Sequence, residues 1–245
     1  MVFFIIALVT STIGSVLGIG GGIIIVPTLL ALGVAQGLTA FSSSLTVFSM
    51  AVIACYHHYR HQRGDLKTAL LIAMGSVPFS IIGSSFNQGM SKQLFSFLYL
   101  VLLAVLLLLM FSENQLRKLP TSLYKNPIAK PLFGCFIGFF AGLFGVGGGP
   151  IVVPILFSVF HLLPKDVAAT SSYVTLITAT ITLLTYGLTG QADFSLGLWM
   201  IPGAILGGQL GALLSKKISN RLVTLLFNAL LIFLLGQQIV QLLFF

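Results

Sequence analysis

Residues 18–27 read GIGGGIIIVP, and residues 145–154 read GVGGGPIVVP. The two stretches are 127 positions apart and are identical at seven of their ten positions. With one inserted residue the offset becomes 128, and it then relates Asp65 to Asp193 and Gly75 to Gly203. A repeat that is maintained over such a length indicates two copies of one structural unit.

The repeat divides the chain into two halves. We predict a first membrane repeat at residues 1–111 and a second at 131–245, joined by a polar, proline-containing cytoplasmic linker at 112–130. Each half begins with a glycine-interrupted apolar stretch, at 2–35 and 131–163. Three predicted spans follow in each half: 38–59, 66–88 and 91–111 in the first, and 166–188, 194–214 and 219–243 in the second.

Composition places the chain in a membrane. Apolar residues make up 57% of the 245 residues and charged residues only 7%, which exceeds the apolar share of a soluble domain. The uncharged runs reach the roughly 20 residues that cross a bilayer as a helix. Only helices and closed barrels satisfy the backbone in lipid, and these runs are too long for barrel strands. We therefore predict an all-α polytopic membrane protein.

Charge placement favours an inverted arrangement of the halves. If each glycine-interrupted stretch crossed once, the twelve Lys and Arg residues would divide seven to five between the two sides. If each stretch is a hairpin that returns to its own side, only Lys92 lies outside and the other eleven lie inside. The positive-inside rule favours the second arrangement. It places both termini outside and makes the halves two inverted repeats, each a glycine-broken helical hairpin plus three transmembrane helices.

The glycine runs are predicted to form an anion site. Three consecutive glycines interrupt a helix, and the second short helices are expected at 22–33 and 149–160. The first N–H groups of a helix lack intrahelical partners and carry the positive end of its dipole, so they bind anions without a buried cation. Paired broken helices in inverted repeats are typical of transporter sites near the midplane. The predicted ligand-binding residues of these breaks are Gly20, Gly21, Gly22, Gly147, Gly148 and Gly149.

Hydroxyl groups follow each glycine run. No basic residue falls inside a predicted span, whereas Ser and Thr occur early in the span after each break, and hydroxyl donors suit an oxyanion. We include Ser42, Ser43, Thr170, Ser171 and Ser172 in the predicted site, with Ser44 beside them. Gln209 is interpreted as either an interhelical hydrogen-bonding residue or a ligand-binding one. His57 and His58 are interpreted as part of a positive cluster at a loop edge.

The repeated motif, followed by Ala-Ala-Thr-Ser-Ser at residues 168–172, resembles the sulfite exporter TauE/SafE family, also called the 4-toluene sulfonate uptake permease family. The resemblance covers nearly the whole chain. It implies a bacterial inner-membrane transporter of small sulfur-containing or carboxylate anions, such as sulfite, sulfonates or sulfoacetate. The first half departs from the pattern, because Ser42 stands where the second half has Thr170, and Ile23 where it has Pro150.

The same residues favour some functional classes over others. No phosphate-binding GxxxxGK[ST] loop occurs, so we expect no ATP hydrolysis by this chain. We expect a non-enzymatic transporter without cofactor or metal, whose partners are a small anion and the lipid bilayer rather than nucleic acid. An anion channel, a redox enzyme using Cys55 and Cys135, and a structural subunit are the alternatives. Substrate, direction and oligomeric state, including a homo-oligomer, stay open.

Overall fold

A computed structural model describes residues 1–112, 128–160, 162, 164–190, 192–215, 218 and 220–244. In this part of the chain all regular structure is helical, in ten helices. Those of the first half are α1 (Val2–Leu17), α2 (Gly22–Ala31), α3 (Gln36–Arg60), α4 (Leu66–Asn87) and α5 (Lys92–Phe111). Those of the second half are α6 (Ala129–Phe144), α7 (Gly149–Ser158), α8 (Pro164–Leu188), α9 (Phe194–Ser215) and α10 (Asn220–Phe244).

The prediction of an all-α membrane protein is confirmed. Among the described residues, six helices are long and apolar enough to cross a bilayer: α3, α4, α5, α8, α9 and α10. Their ends lie within two residues of the predicted spans. The helices α2 and α7 begin where predicted and end two residues early. Most of the predicted linker, at 113–127, lies outside the described residues, as do Lys216 and Lys217.

Each glycine-interrupted stretch forms a hairpin. Phe133 near the start of α6 and Phe160 after the end of α7 pack edge to face, with ring centroids 5.6 Å apart. Two helices in line would separate these residues by about 40 Å at 1.5 Å per residue. In the first half, Ala7 of α1 packs in one cluster with Ile25 and Leu29 of α2. The chain therefore turns back at each break.

Glycines allow the first helix of each hairpin to pack closely on a helix of the other half. A Cβ placed on Gly203 or Gly207 of α9 would lie 2.4 Å from the Phe4 carbonyl oxygen or 2.3 Å from that of Leu8. The helices α6 and α4 have the same relation, and Cβ atoms on Gly134, Gly138 and Gly142 would lie 2.1–2.2 Å from carbonyl oxygens of α4. Small residues at such interfaces are the usual means of close packing in membranes. The two sequence halves are thus interleaved rather than side by side.

The glycine contacts also give helix directions. Along α9, Gly203 meets Phe4 and Gly211 meets Thr12, so α1 and α9 run parallel. Along α4, Gly75 meets Pro131 and Gly83 meets Phe139, so α4 and α6 run parallel.

The bundle has two ends, which we name by a residue at each. At the Arg63 end, α3 ends and α8 begins, and the Tyr173 hydroxyl donates to the Arg63 carbonyl oxygen over 3.0 Å. At the Met90 end, the Gln36 side-chain amide at the start of α3 donates to the Met90 carbonyl oxygen. The helices α4 and α6 begin at the Arg63 end, and α1 and α9 begin at the Met90 end.

Candidate functional site

The two glycine breaks meet each other. A Cβ on Gly149 would lie 2.5 Å from the Ile19 carbonyl oxygen, and one on Gly22 would lie 2.8 Å from the Val146 Cα. Each break thus packs backbone to backbone on the other. The side chains nearest to Gly20 and to its repeat counterpart Gly147 are those of Val47 in α3 and of Thr175, the repeat counterpart of Val47, in α8. The structure therefore brings the two predicted glycine runs together at one point.

Each break is made by residues in the left-handed region. Gly21 has φ +71° and precedes α2, and Gly148 has φ +81° and precedes α7. Within the described residues the N–H groups of Gly148 and Gly149 donate no hydrogen bond. They are the orphan donors expected at a helix start, at the positive end of its dipole. This arrangement can bind an anion by backbone groups alone.

A proline in each short helix removes one backbone hydrogen bond, and in α2 a tyrosine hydroxyl donates a hydrogen bond in its place. Pro27 has no N–H, so the Ile23 carbonyl oxygen loses its intrahelical donor. The buried Tyr99 hydroxyl of α5 donates to that oxygen over 2.5 Å. The helix α2 is therefore held to α5 one turn after the break.

The predicted Ser43, Ser171 and Ser172 lie on the faces of α3 and α8 that contact the breaks, whereas Ser42, two residues after Ala40, lies off that face. Gly145 packs on the backbone of Ala40, and Val47 lies against Gly147. Ser43 and Ser44 lie three and four residues after Ala40, and therefore on the same helix face. The Oγ atoms of Ser42, Ser43 and Ser44 are buried and form no hydrogen bond within the described residues.

The second half repeats this face, with some of its hydroxyls engaged. Gly18 contacts Ala168, and the buried Ser171 Oγ forms no hydrogen bond within the described part of the chain. Ser172 donates to the Ala168 carbonyl oxygen over 2.8 Å. The Thr170 hydroxyl accepts the N–H of Asp65 over 2.9 Å, so it fastens the start of α4 to α8.

A cavity of about 660 Å³ leads from the first break to the Arg63 end. Of the predicted residues, Gly20 and Ser172 line it, together with Gln209. The other predicted glycines and serines are buried and do not line it. Arg63, His57 and His58 line its outer part, although none of them was predicted as a site residue from the sequence. The sequence feature that could have identified them is their position at the end of the span that carries Ser42, Ser43 and Ser44.

A polar network holds the helix ends together beside this opening. Asp65 accepts hydrogen bonds from the Thr68 backbone N–H, over 3.0 Å, and from its hydroxyl, and Lys130 donates to the Thr68 hydroxyl over 2.7 Å. Partial burial acts to raise the pKa of Asp65, but the bonds from Thr68 and the charge of Lys130 outweigh it and hold that pKa below its usual value. The carboxylate therefore serves as the cap of α4.

Comparisons with known proteins agree with this architecture. A sequence model of the family described as sulfite exporter TauE/SafE matches residues 3–237. The chain belongs to the TauE/SafE family. As a TauE/SafE protein with six long apolar helices, it is a multi-pass membrane protein.

Relatives of this TauE/SafE chain cover almost its full length. The probable membrane transporter protein YunE of Bacillus subtilis is 26% identical, over 98% of this chain and 97% of the relative. The probable membrane transporter protein MJ0441 of Methanocaldococcus jannaschii is also 26% identical, over 93% and 90%. A probable membrane transporter protein of Haemophilus influenzae is 28% identical, over 86% and 83%. No solved structure matches the chain.

Proposed function

We propose that this protein is a secondary transporter that exports small sulfur-containing anions, such as sulfite or organosulfonates, from the cytoplasm. The observation that carries the proposal is the meeting of the two helix starts at Val47 and Thr175. The family description, sulfite exporter, supports the substrate class.

The proposed site binds the anion with neutral donors. The N–H groups of Gly148 and Gly149 would provide the main contacts, with the serine hydroxyls of α3 and α8 around them. At the first break the Gly22 N–H already donates to the Gly20 carbonyl oxygen over 2.9 Å, so this break would contribute fewer donors. The remaining proposed members are Gly20, Gly21, Gly22, Ser42, Ser43, Gly147, Ser171 and Ser172. Thr170 is the weakest of the predicted residues, since its hydroxyl already accepts the Asp65 N–H.

The proposed topology is a pair of inverted repeats. Support comes from α1 and α6, which correspond in sequence and begin at opposite ends of the bundle. The Arg63 end also contains Arg60, Lys67 and Lys130, whereas Lys92 begins α5 at the other end. By the positive-inside rule the Arg63 end would face the cytoplasm and both termini the outside, in a bacterial inner membrane.

The cavity supports a carrier rather than a channel or an enzyme. It approaches the breaks from the Arg63 end, while Thr182 and Tyr186, the repeat counterparts of the lining residues Ala54 and His58, are buried at the Met90 end. Arg63, at its mouth, would raise the local concentration of anions and speed their entry. An anion leaving a negative interior gains about 2.3 kcal/mol per charge per 100 mV, which would drive export without ATP.

The test is anion binding followed by flux. Purified protein is melted with sulfite, thiosulfate, sulfate, a sulfonate and a carboxylate of similar size, and each anion that stabilises it is tested for efflux from proteoliposomes. We expect selective stabilisation by a sulfur oxyanion and efflux that responds to membrane potential. Absence of both for every anion, with the protein still folded, would refute the proposed substrate class.

A matched pair of variants tests the site. Gly20→Ala changes the meeting point of the breaks, and Gly33→Ala changes a loop glycine of similar φ, +79°, that has no atom within 4 Å of its added methyl. Loss of binding in Gly20→Ala with wild-type binding in Gly33→Ala is the expected result. Equal binding by both would place the anion elsewhere.

A further inference from the structure

The open cavity has a closed counterpart that the repeat identifies. The offset of 128 relates the cavity-lining Ala54, His58 and Ser172 to Thr182, Tyr186 and Ser44. Ala54 and His58 are partly exposed, whereas all three counterparts have no exposed surface. The same part of the fold is therefore open at the Arg63 end and filled at the Met90 end.

The closed counterpart contains polar groups without partners. The Oγ1 of Thr182 and the Oγ of Ser44 form no hydrogen bond within the described residues, although both are fully buried. Burying a hydroxyl without a hydrogen bond is unfavourable, so such groups are rare where they serve packing alone. These two side chains have the chemistry of a wetted pathway that is closed in this conformation.

At the Met90 end two side chains bind one turn of α6. The Tyr186 hydroxyl of α8 donates to the Gly142 carbonyl oxygen over 2.9 Å, and the Asn87 amide of α4 donates to the Leu143 carbonyl oxygen over 2.7 Å. The offset of 127 relates Gly142 and Leu143 to Ser15 and Val16, which line the open cavity. The same turn of the hairpin thus borders the cavity in one half and is fastened in the other.

We infer that Thr182 and Ser44 line the second half of the substrate pathway, and that Tyr186 and Asn87 are its gate. Breaking their bonds to the Gly142 and Leu143 carbonyl oxygens would release the end of α6 and open this half toward the Met90 end. The inference rests on the proposed transport function in that a carrier needs access from both ends. Access from the Met90 end would be provided by Thr182, Ser44, Tyr186 and Asn87.

The test measures thiol accessibility, which requires no known substrate. In a Cys55→Ala, Cys135→Ala background, Thr182→Cys reports on the closed half and Ala54→Cys on the open half. Protein in nanodiscs, whose two faces are both in solution, is treated with a membrane-impermeant maleimide. We expect Ala54→Cys to react at least about tenfold faster than Thr182→Cys, in keeping with the energy gap of a few kcal/mol between two such conformations.

Gate variants then supply the decisive comparison. Loss of one hydrogen bond should raise the rate at Thr182→Cys about fivefold in Tyr186→Phe, and similarly in Asn87→Ala. Tyr173→Phe is the matched control, since it removes a tyrosine–carbonyl bond at the Arg63 end. It should leave the rate at Thr182→Cys unchanged. Tyr186→Phe conserves the ring, so it serves where Asn87→Ala lowers the yield of folded protein.

The outcomes separate the gate from the proposed substrate. Equal rates at the two reporter cysteines, or no increase at Thr182→Cys in either gate variant, would overturn the inference. An increase in both variants supports the gate even where no anion of the panel stabilises the protein, because thiol accessibility depends on the opening and not on the identity of the ligand. Absence of stabilisation by every anion would count against the proposed anion specificity only.

Discussion

Replacing Gly20 by alanine should weaken anion binding while the protein still folds. The added methyl would lie 3.6 Å from the Val47 Cγ1 and 3.8 Å from the Thr175 Cγ2, which are ordinary contact distances. The cost to folding comes from φ +85°, where an L side chain costs about 1–2 kcal/mol. The variant should therefore insert and melt only a few degrees below the wild type. The methyl would nevertheless occupy the point at which the two breaks meet.

The expected loss of binding follows from the space that this methyl takes from the anion, which would then lose contact with at least one backbone donor. A hydrogen bond to a charged acceptor is worth about 1.5–3 kcal/mol. One lost bond should weaken anion binding about 10- to 100-fold, at roughly 1.4 kcal/mol per tenfold. The assay follows the melting temperature against anion concentration for wild type, Gly20→Ala and the control Gly33→Ala. Wild-type affinity in Gly20→Ala would refute the assignment of the anion to the meeting point of the breaks.

Four other predictions concern packing, charge and pH. Gly147→Ala would place its Cβ 2.4 Å from Val47 Cγ1, so its free energy of unfolding should be about 1–3 kcal/mol lower than that of Gly20→Ala. Adding Val47→Ala to the same chain should restore part of that loss, as thermal melts of the three variants would show. Gly138→Ala would place its Cβ 2.1 Å from a carbonyl oxygen of α4, and size-exclusion chromatography should show little folded protein. Arg63→Gln should slow anion efflux several-fold at low salt and much less at high salt, in flux assays at two ionic strengths. The lowered pKa of Asp65 means that its carboxylate stabilises the fold above its ordinary pKa of 3.8 and loses this effect as the pH falls through the lower folded value. Asp65→Asn should accordingly melt lower than wild type at pH 7, and the difference should narrow below pH 4 in melts across that range.

The sequence predicted the helices because few physical constraints determine them. Uncharged runs of sufficient length must be helical in lipid, and consecutive glycines must interrupt them. The hairpins were predicted from charge placement, and the packing of Phe133 on Phe160 agrees with that prediction. The meeting of the two breaks is what the inverted arrangement predicts, since inversion aims the helix starts at 22–33 and 149–160 at one central point. All of these features follow from patterns that extend over many residues.

The interleaving of the halves and the cavity were not predicted. Gly134, Gly138 and Gly142 recur every four residues, which is a packing signal, but the spacing alone does not identify the partner helix. Arg63 and His57 lie at the end of a span, where a charge serves topology and substrate entry equally well. Whether such a residue borders a cavity depends on the tertiary packing of α9 and α10 around it, which no local pattern encodes.

The end at which the cavity opens follows from a difference between the repeats. Two identical halves would make the two openings equal in energy, so any preference must arise where the halves differ. Tyr186 stands where the first half has His58, and the latter's Nδ1 forms no hydrogen bond within the described residues, whereas Tyr186 is bonded to Gly142. With Asn87 this gives two bonds at the Met90 end, each worth about 0.5–1.5 kcal/mol. Taken alone, these two bonds would favour the conformation open at the Arg63 end by roughly 5- to 150-fold at about 1.4 kcal/mol per tenfold. A carrier that rests open toward a positively charged, proposed cytoplasmic end is suited to collecting anions for export.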